Sequence, residues 1–192
     1  MTNVRGDRRV ERTRSALRDA FRTLFFEQGY DQIGMADIAE RANVARSTVY
    51  QHYRGKDGLL RDTVRDPFSS LADAVLAHSS AATLRIVIDH FWRNRGSSSS
   101  IRNESTRRAM ARILAGMIEE RFELMWPDSI APSENERRLA AFVIAQSQIG
   151  IVVAWMLGDV VADIDQMTAT LQATTRVLTD ALLQPSSKAL KT

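Results

Sequence analysis

The sequence predicts an all-α protein: a basic N-terminal module of short helices, then a longer helical body, about nine helices in all. Three observations lead there. Apolar residues recur at i, i+3 and i+4 along the chain, and no period-two alternation is sustained. Hydrophobic residues make up 44% of the 192 residues, enough for a folded core. The charge is uneven, with 11 Lys+Arg and 8 Asp+Glu in residues 1–60 and 15 of each in residues 61–192. The net charge of +3 therefore sits wholly in the first third. A phosphate-binding head needs that asymmetry, although a solvated basic helix has the same charge.

The first helix is expected over Arg8 to Gln28. Ala16, Leu17, Ala20, Phe21, Leu24 and Phe25 form one buried stripe, and Gly29 follows as a C′ residue able to take positive φ. Tyr30 to Gly34 reads as a short connection, followed by two short helices. A fourth helix starts at Asp57 with Leu59, Leu60 and Val64 inward. Pro67 must end or kink it, because proline lacks the N–H and clashes with the preceding turn; Phe68 to Ala77 can resume it. Thr83 to Asn94 is a further helix, Gly96–Ser100 a flexible low-complexity loop, and Glu104 to about Met125 a helix or helix pair. Pro127 to Pro132 is a second break. Ser133 and Glu136 form a capping box for a helix over Glu134 to Leu157 that ends at Gly158. The last helix covers Asp163 to Leu183, with a seam of Ile164, Met167, Leu171, Thr175, Leu178 and Leu182. Residues 186–192 read as a frayed tail.

The segment that points to chemistry is Met35 to Tyr53. Ile38, Ala39 and Ala42 make a short apolar face, and Ala39 is small where a second helix must cross. Asn43 stands at the turn and tolerates the left-handed conformation better than most residues. Val44 closes the turn and Val49 anchors the next helix. That leaves Arg46, Ser47, Thr48, Tyr50, Gln51 and His52 near an exposed face or helix N-terminus, with side chains suited to base edges and phosphates. Two helices joined by a turn of this length form a helix-turn-helix, whose second helix enters the major groove. An ordinary corner between two bundle helices is the alternative.

The pattern extends further. Ala20-Phe21, Leu24-Phe25, Gly29-Tyr30, Asp37 to Val44, Ser47 to Tyr53 and Lys56-Asp57-Gly58-Leu59-Leu60 occur in an order and spacing that resemble the DNA-binding domain of tetracycline-repressor-type (TetR family) regulators. Gly34, Asn43 and Ala45 depart from it, where the family often has Ser or Thr, Gly, and Ser. The resemblance implies phosphate contacts for Tyr50 and Lys56, backbone or base contacts for Thr48 and His52, and base reading for Arg46, Ser47 and Gln51. Lys56 would share a phosphate with the start of the fourth helix. Tyr53 is expected to pack inward. The fold implied is an N-terminal three-helix helix-turn-helix domain, 1–56, and a C-terminal ligand-binding and dimerisation domain, 57–192.

The body supplies the remaining expectations. Leu139 to Leu157 is 19 residues without a formal charge. Gln146, Ser147 and Gln148 at its middle argue for a helix buried in protein rather than in a membrane. The resemblance implies a homodimer in which the last two helices of each subunit form a four-helix bundle, and a helix apolar on more than one face supports it. A two-fold dimer sets two recognition helices roughly 34 Å apart on a palindromic double-stranded DNA operator. Phe91, Trp92, Met110, Met117 and Trp155 are candidates for a small-molecule effector pocket, with Phe122, Met125 and Trp126 as further apolar members and His90, Gln146 and Gln148 as polar anchors. The same spacing also suits plain core. The resemblance implies a repressor whose effector shifts the fourth helix and releases DNA, with Pro67 in that link. No catalytic motif, cysteine, metal-ligand spacing or cofactor motif is present, and no secretory signal opens the chain. A cytoplasmic regulator without cofactor or metal is the reading, and a non-sensing helical DNA-binding or protein-interaction module is its rival.

Overall fold

The computed structural model describes residues 4–97, 99–126 and 131–183. Helix α1 (Val4–Gln28) starts earlier than its apolar stripe requires and buries Leu17, Ala20, Phe21, Leu24 and Phe25. Gly29 has the expected positive φ of 79°, but its ψ of 165° sends the backbone out extended rather than into a left-handed cap. A 3-10 turn at Tyr30–Gln32 leads into α2 (Met35–Arg41) and α3 (Arg46–His52). Then come α4 (Lys56–Asp73), α5 (Ala81–Asn94), α6 (Glu104–Phe122), α7 (Glu134–Leu157) and α8 (Ile164–Leu182). Among the described residues these eight α-helices and three 3-10 turns are the regular structure.

The chain divides into two compact units. One gathers the chain up to Arg65 together with Ser97–Ala109; the other comprises Asp66–Gly96 and the chain from Met110 onward. Helices α4 and α6 each contribute to both.

Two expectations need correction. Of the two outcomes expected at Pro67, termination does not occur: α4 continues through it to Asp73. Phe68, Leu71 and Ala72, just beyond the proline, are fully buried. Burying two large side chains stabilises by roughly 1.5–3 kcal/mol each, which outweighs the approximately 3 kcal/mol cost of an internal proline. The serine-rich stretch is also more structured than its composition suggests, with 3-10 turns at Arg95–Ser97 and Ser99–Arg102. Ile101 supplies the reason, because it is buried and anchors the second turn. Residues 127–130 of the Pro127–Pro132 break, and the proposed tail at 186–192, lie outside the described residues.

In the second unit α8 packs on both α5 and α7. Helix α7 opens with the expected capping box: the Ser133 hydroxyl accepts from the Glu136 N–H, and the Ser133 N–H donates to Glu136 Oε2 at 2.8 Å. Asp163 and Gln166 cap α8 in the same way. Met167, Leu171 and Thr175 of the seam are buried, Ile164 and Leu178 half-buried, and Leu182 exposed; Thr168 and Thr179 join the buried side instead. Gln148 lies inside the unit, where its Nε2 donates to the Leu71 carbonyl (3.1 Å) and to Thr175 Oγ1 (2.9 Å). Helix α7 is long and apolar enough to cross a membrane, but half of its most apolar window is buried within the protein. It serves here as a core helix.

Helix α7 ends at Gly158, whose φ of 84° and ψ of 9° are left-handed. A Gly158→Ala substitution therefore costs about 1–2 kcal/mol of unfolding free energy, measurable by urea denaturation. Unchanged stability would show that the α7 end does not require this conformation.

Candidate nucleic-acid interface

The helix-turn-helix is built by a helix-ending motif. Asn43 takes φ 52°, the only positive φ outside glycine among the described residues. The Val44 N–H then donates back to the Ala39 carbonyl (2.9 Å) and the Asn43 N–H to the Glu40 carbonyl (3.0 Å). These paired bonds satisfy the end of α2 and set the chain on course for α3. Gly34 supplies no side-chain cap to α2, but its N–H donates to Asp37 Oδ2 at 2.8 Å, so half of a capping box survives. Ala45 caps α3 with its carbonyl alone.

Helix α3 has one inward anchor, the fully buried Val49, with Ile38 and Ala39 of α2 buried nearby in sequence. Arg46, Ser47, Tyr50 and Gln51 are exposed, Tyr50 at 58%; Thr48 and His52 are half-buried. Six of the seven sequence-predicted DNA-contact residues therefore lie on one short helix, four of them exposed to solvent.

Lys56, the seventh, is placed differently. At the start of α4 its ammonium donates to the Tyr30 carbonyl (2.9 Å) and the Ile33 carbonyl (3.4 Å), and stands 4.3 Å from the Tyr30 ring centre. The Tyr30 hydroxyl donates to Asp57. One ammonium proton remains for an outside acceptor. Lys56 thus fastens the connection before α2 onto the start of α4.

The other end of α3 is fastened by a cluster that the sequence reading missed. Tyr53 packs inward as expected, and its hydroxyl donates to Asp62 Oδ2 at 2.6 Å. Arg14 and Arg18 of α1 reach the same oxygen at 3.3 and 3.4 Å, and Arg65 reaches Oδ1 at 2.9 Å. The Asp62 side chain is only 6% exposed. Burial alone would raise its pKa; the Tyr53 hydroxyl, Arg14, Arg65 and Arg18 together outweigh burial and hold it below the ordinary 3.8. Tyr53 shifts up from 10.0, through burial first and then the neighbouring carboxylate. Two of the seven arginines in residues 1–22 are accordingly internal fasteners. The one available signal was the i, i+4 spacing of Arg14 and Arg18, which places both on one face of α1. Nothing in the spacing identified Asp62.

In the second unit the Trp92 and Trp155 rings stack at 4.6 Å between centroids, and the Arg95 guanidinium lies 3.8 Å from the Trp92 ring centre. Trp155 is buried and its Nε1 donates to the Ala162 carbonyl at 2.8 Å. Met117 is buried, whereas Phe91 and Met110 are half-buried. None of these five lines the groove of about 610 Å³ found in this unit. Its lining includes Asp73, Leu76, His78, Thr83, Leu84 and Met125; of the sequence-stated candidates it takes only Met125.

Comparison with known proteins bears on the first unit. The pattern of bacterial regulatory proteins of the tetR family matches residues 17–63, a stretch that contains α2, α3 and the Asp62 cluster's α4 member. Residues 17–63 are thus similar to the DNA-binding part of that family. Across 75 residues the chain is 39% identical to YxbF of Bacillus subtilis, an uncharacterized HTH-type transcriptional regulator, covering 38% of this chain and 20% of that protein. Across 54 residues it is 35% identical to IcaR of Staphylococcus epidermidis, a negative transcriptional regulator of a biofilm operon, covering 28% of this chain and 29% of that protein. The chain thus matches under a third of the length of either relative, and the likeness is one of tetR-type domains. The fold extends over more of the chain: a TetR transcriptional regulator from Streptococcus agalactiae has a similar structure, with TM-score 0.55 and 21% identity over 90% of this chain and 98% of that one.

Asp62 makes a pH-dependent contribution to the tetR-type domain. Its folded pKa is depressed, so its stabilisation is complete above 3.8 and is lost as pH falls through the lower folded value. Asp62→Asn should destabilise the protein by about 1–3 kcal/mol near neutral pH, a range for charged hydrogen bonds whose arginine partners remain partly solvated. Chemical denaturation across pH should show the gap to wild type narrowing below 3.8. A gap that widens with acid would contradict the assignment.

Proposed function

We propose that this protein is a ligand-responsive transcriptional regulator that binds double-stranded DNA as a homodimer, acting in the cytoplasm as a repressor. The observation that carries the reading is α3, held from beneath by Val49 and Tyr53, with Arg46, Ser47, Tyr50 and Gln51 presented outward. Arg46 and Gln51 have the donor geometry for base edges, while Tyr50, Thr48 and His52 suit the phosphate backbone. Lys56 joins them through its remaining proton at the start of α4. The repressor sense rests on the likeness to a negative regulator, IcaR.

A dimer is supported by what the second unit leaves uncovered. On α7, Leu139 (62% exposed) and Phe142 (48%) continue through Gln146 and Gly150 as one exposed stripe at helical spacing. On α8, Val177 (64%) is exposed as well. An apolar stripe along two adjacent long helices is the face that a second copy covers in an isologous contact. Two linked heads bind far more tightly than one, because the second engagement is intramolecular. The effector site is placed in the second unit, where Phe91, Trp92, Met110, Met117 and Trp155 are side chains of the kind that repack around a ligand; the groove of that unit, which none of them lines, is a separate candidate volume.

Fluorescence anisotropy with a labelled random-sequence duplex tests the DNA reading. The expected result is saturable binding that weakens steeply with salt, as released counterions require. On a selected operator, Arg46→Ala should cost about 1–3 kcal/mol of affinity. Absence of salt-dependent binding to any duplex would overturn the reading. Separately, Phe142→Glu should give a monomer in analytical ultracentrifugation and weaken DNA binding by roughly 100-fold or more. A Phe142→Glu protein that stays dimeric would exclude the α7 stripe from the interface.

A further inference from the structure

We infer that Thr106, on the first turn of α6, is a positioning residue of the DNA-binding head. The inference rests on the DNA-binding reading above and adds to it a residue far outside the matched stretch at 17–63. The observation is a single buried hydrogen bond. The Tyr30 backbone N–H donates to Thr106 Oγ1 at 3.2 Å, across 76 residues of sequence. Thr106 is fully buried and Tyr30 nearly so. Tyr30 follows the end of α1, where the backbone leaves the helix through the unusual conformation of Gly29. A buried N–H in such a place needs a partner, and a side chain from another element has to supply it.

The surrounding contacts show that the segment is built to present this hydroxyl. A Cβ on Gly29 would stand 3.4 Å from Asn103 Nδ2 and 3.5 Å from Thr106 Oγ1, so the first turn of α6 lies directly against the α1 end. Ile101 is buried, and its 3-10 turn packs against α1. Arg107 Nη1 donates to the Ile101 carbonyl (3.0 Å) and the Arg102 carbonyl (2.6 Å), which fixes the turn to the start of α6. Asn103 Oδ1 accepts from the Ser105 N–H at 3.0 Å, capping the helix at the same point.

Tyr30 is therefore gripped at both polar ends of its backbone and at its side chain. Thr106 takes its N–H, Lys56 donates to its carbonyl, and its hydroxyl donates to Asp57. The connection from Tyr30 to Gly34 sets where α2 begins, and the Asn43 turn carries that placement to α3. The head is thus discontinuous in sequence: residues 97–109 complete it, and Thr106 supplies that segment's hydrogen bond to the backbone before α2. Valine at 106 would keep the shape and remove the acceptor, leaving the Tyr30 N–H unsatisfied. Serine would keep the acceptor.

The test uses the full chain, as Thr106→Val and Thr106→Ser, with two readouts. One is amide hydrogen exchange at Tyr30 and through α2 and α3 in the free protein. The other is anisotropy titration with a labelled random-sequence duplex over a range of salt. Thr106→Val should speed Tyr30 exchange by at least about tenfold and weaken DNA binding by about five- to tenfold, the scale of one buried hydrogen bond. The salt slope should not change, since no phosphate contact is removed. Thr106→Ser should restore both readouts. Ile118→Val, a buried change in the second unit, controls for general destabilisation and should lower the melting temperature without weakening DNA binding. The inference is overturned if Thr106→Val keeps wild-type exchange at Tyr30, if it loses that protection yet binds DNA as wild type, or if Ile118→Val weakens binding equally. Should Thr106→Val fail to fold, loss of Tyr30 protection in the folded Thr106→Ser protein overturns it and retention supports it. A wild-type chain that binds no duplex would remove the DNA reading alone, because exchange at Tyr30 still decides whether Thr106 holds that backbone.

Discussion

The first unit depends on one carboxylate. Asp62 on α4 receives hydrogen bonds from two arginines of α1 and from the tyrosine that ends α3, and forms an ion pair with Arg65 on its own helix. A helix of seven residues has few contacts of its own and little intrinsic stability in isolation. Its direction must be imposed from both ends. Val44 and Asn43 impose it at the start through backbone bonds, and Tyr53 imposes it at the finish through Asp62. The cost of burying the carboxylate is offset because each of its oxygens has a charged or hydroxyl donor. The same arrangement pairs Arg14 and Arg18, still 37% and 30% exposed, with a buried carboxylate, so part of the basic charge of this unit is balanced internally.

Lys56 and Thr106 extend the same logic to the other side of the motif. Both act on Tyr30, one from each of the two helices that contribute to both units. The outward face of α3 is left to short-range, exposed side chains that need no support beyond the helix itself. The division between inward fasteners and outward-facing side chains runs through individual residue pairs: Tyr53 inward and Tyr50 outward, Arg14 inward and Arg46 outward.

Much of this was legible in the sequence, and the reasons are local. The helices followed from apolar spacing, the α2–α3 turn from Asn43, and the long final helices from Ser133, Gly158 and Asp163, because caps and turns are written in a few adjacent residues. The outward face of α3 followed from Val49 alone. What could not be read depends on pairs far apart in sequence. Asp62 meets α1 across 44 and 48 residues and Tyr30 meets Thr106 across 76, and no periodicity encodes such pairs. At Pro67 the helix does not end, because the burial of Phe68 and Leu71 outweighs the local cost of the proline. The serine-rich stretch misled, since the single buried Ile101 outweighs the low-complexity residues before it.

In the second unit the unusual feature of α7 is that its apolar surface exceeds what α8 and the rest of the unit cover. In the proposed dimer that surplus is what a second copy would cover, and two heads would give a seven-residue helix the affinity that one lacks. The most direct measurement of this account is selection of duplexes from a random-sequence pool by the full-length protein, followed by sequencing. The account predicts enrichment of an inverted repeat, one half-site for each α3, and loss of that enrichment when Arg46 and Gln51 are both replaced by alanine. An enriched sequence without two-fold symmetry, or a pool that stays random, would contradict it.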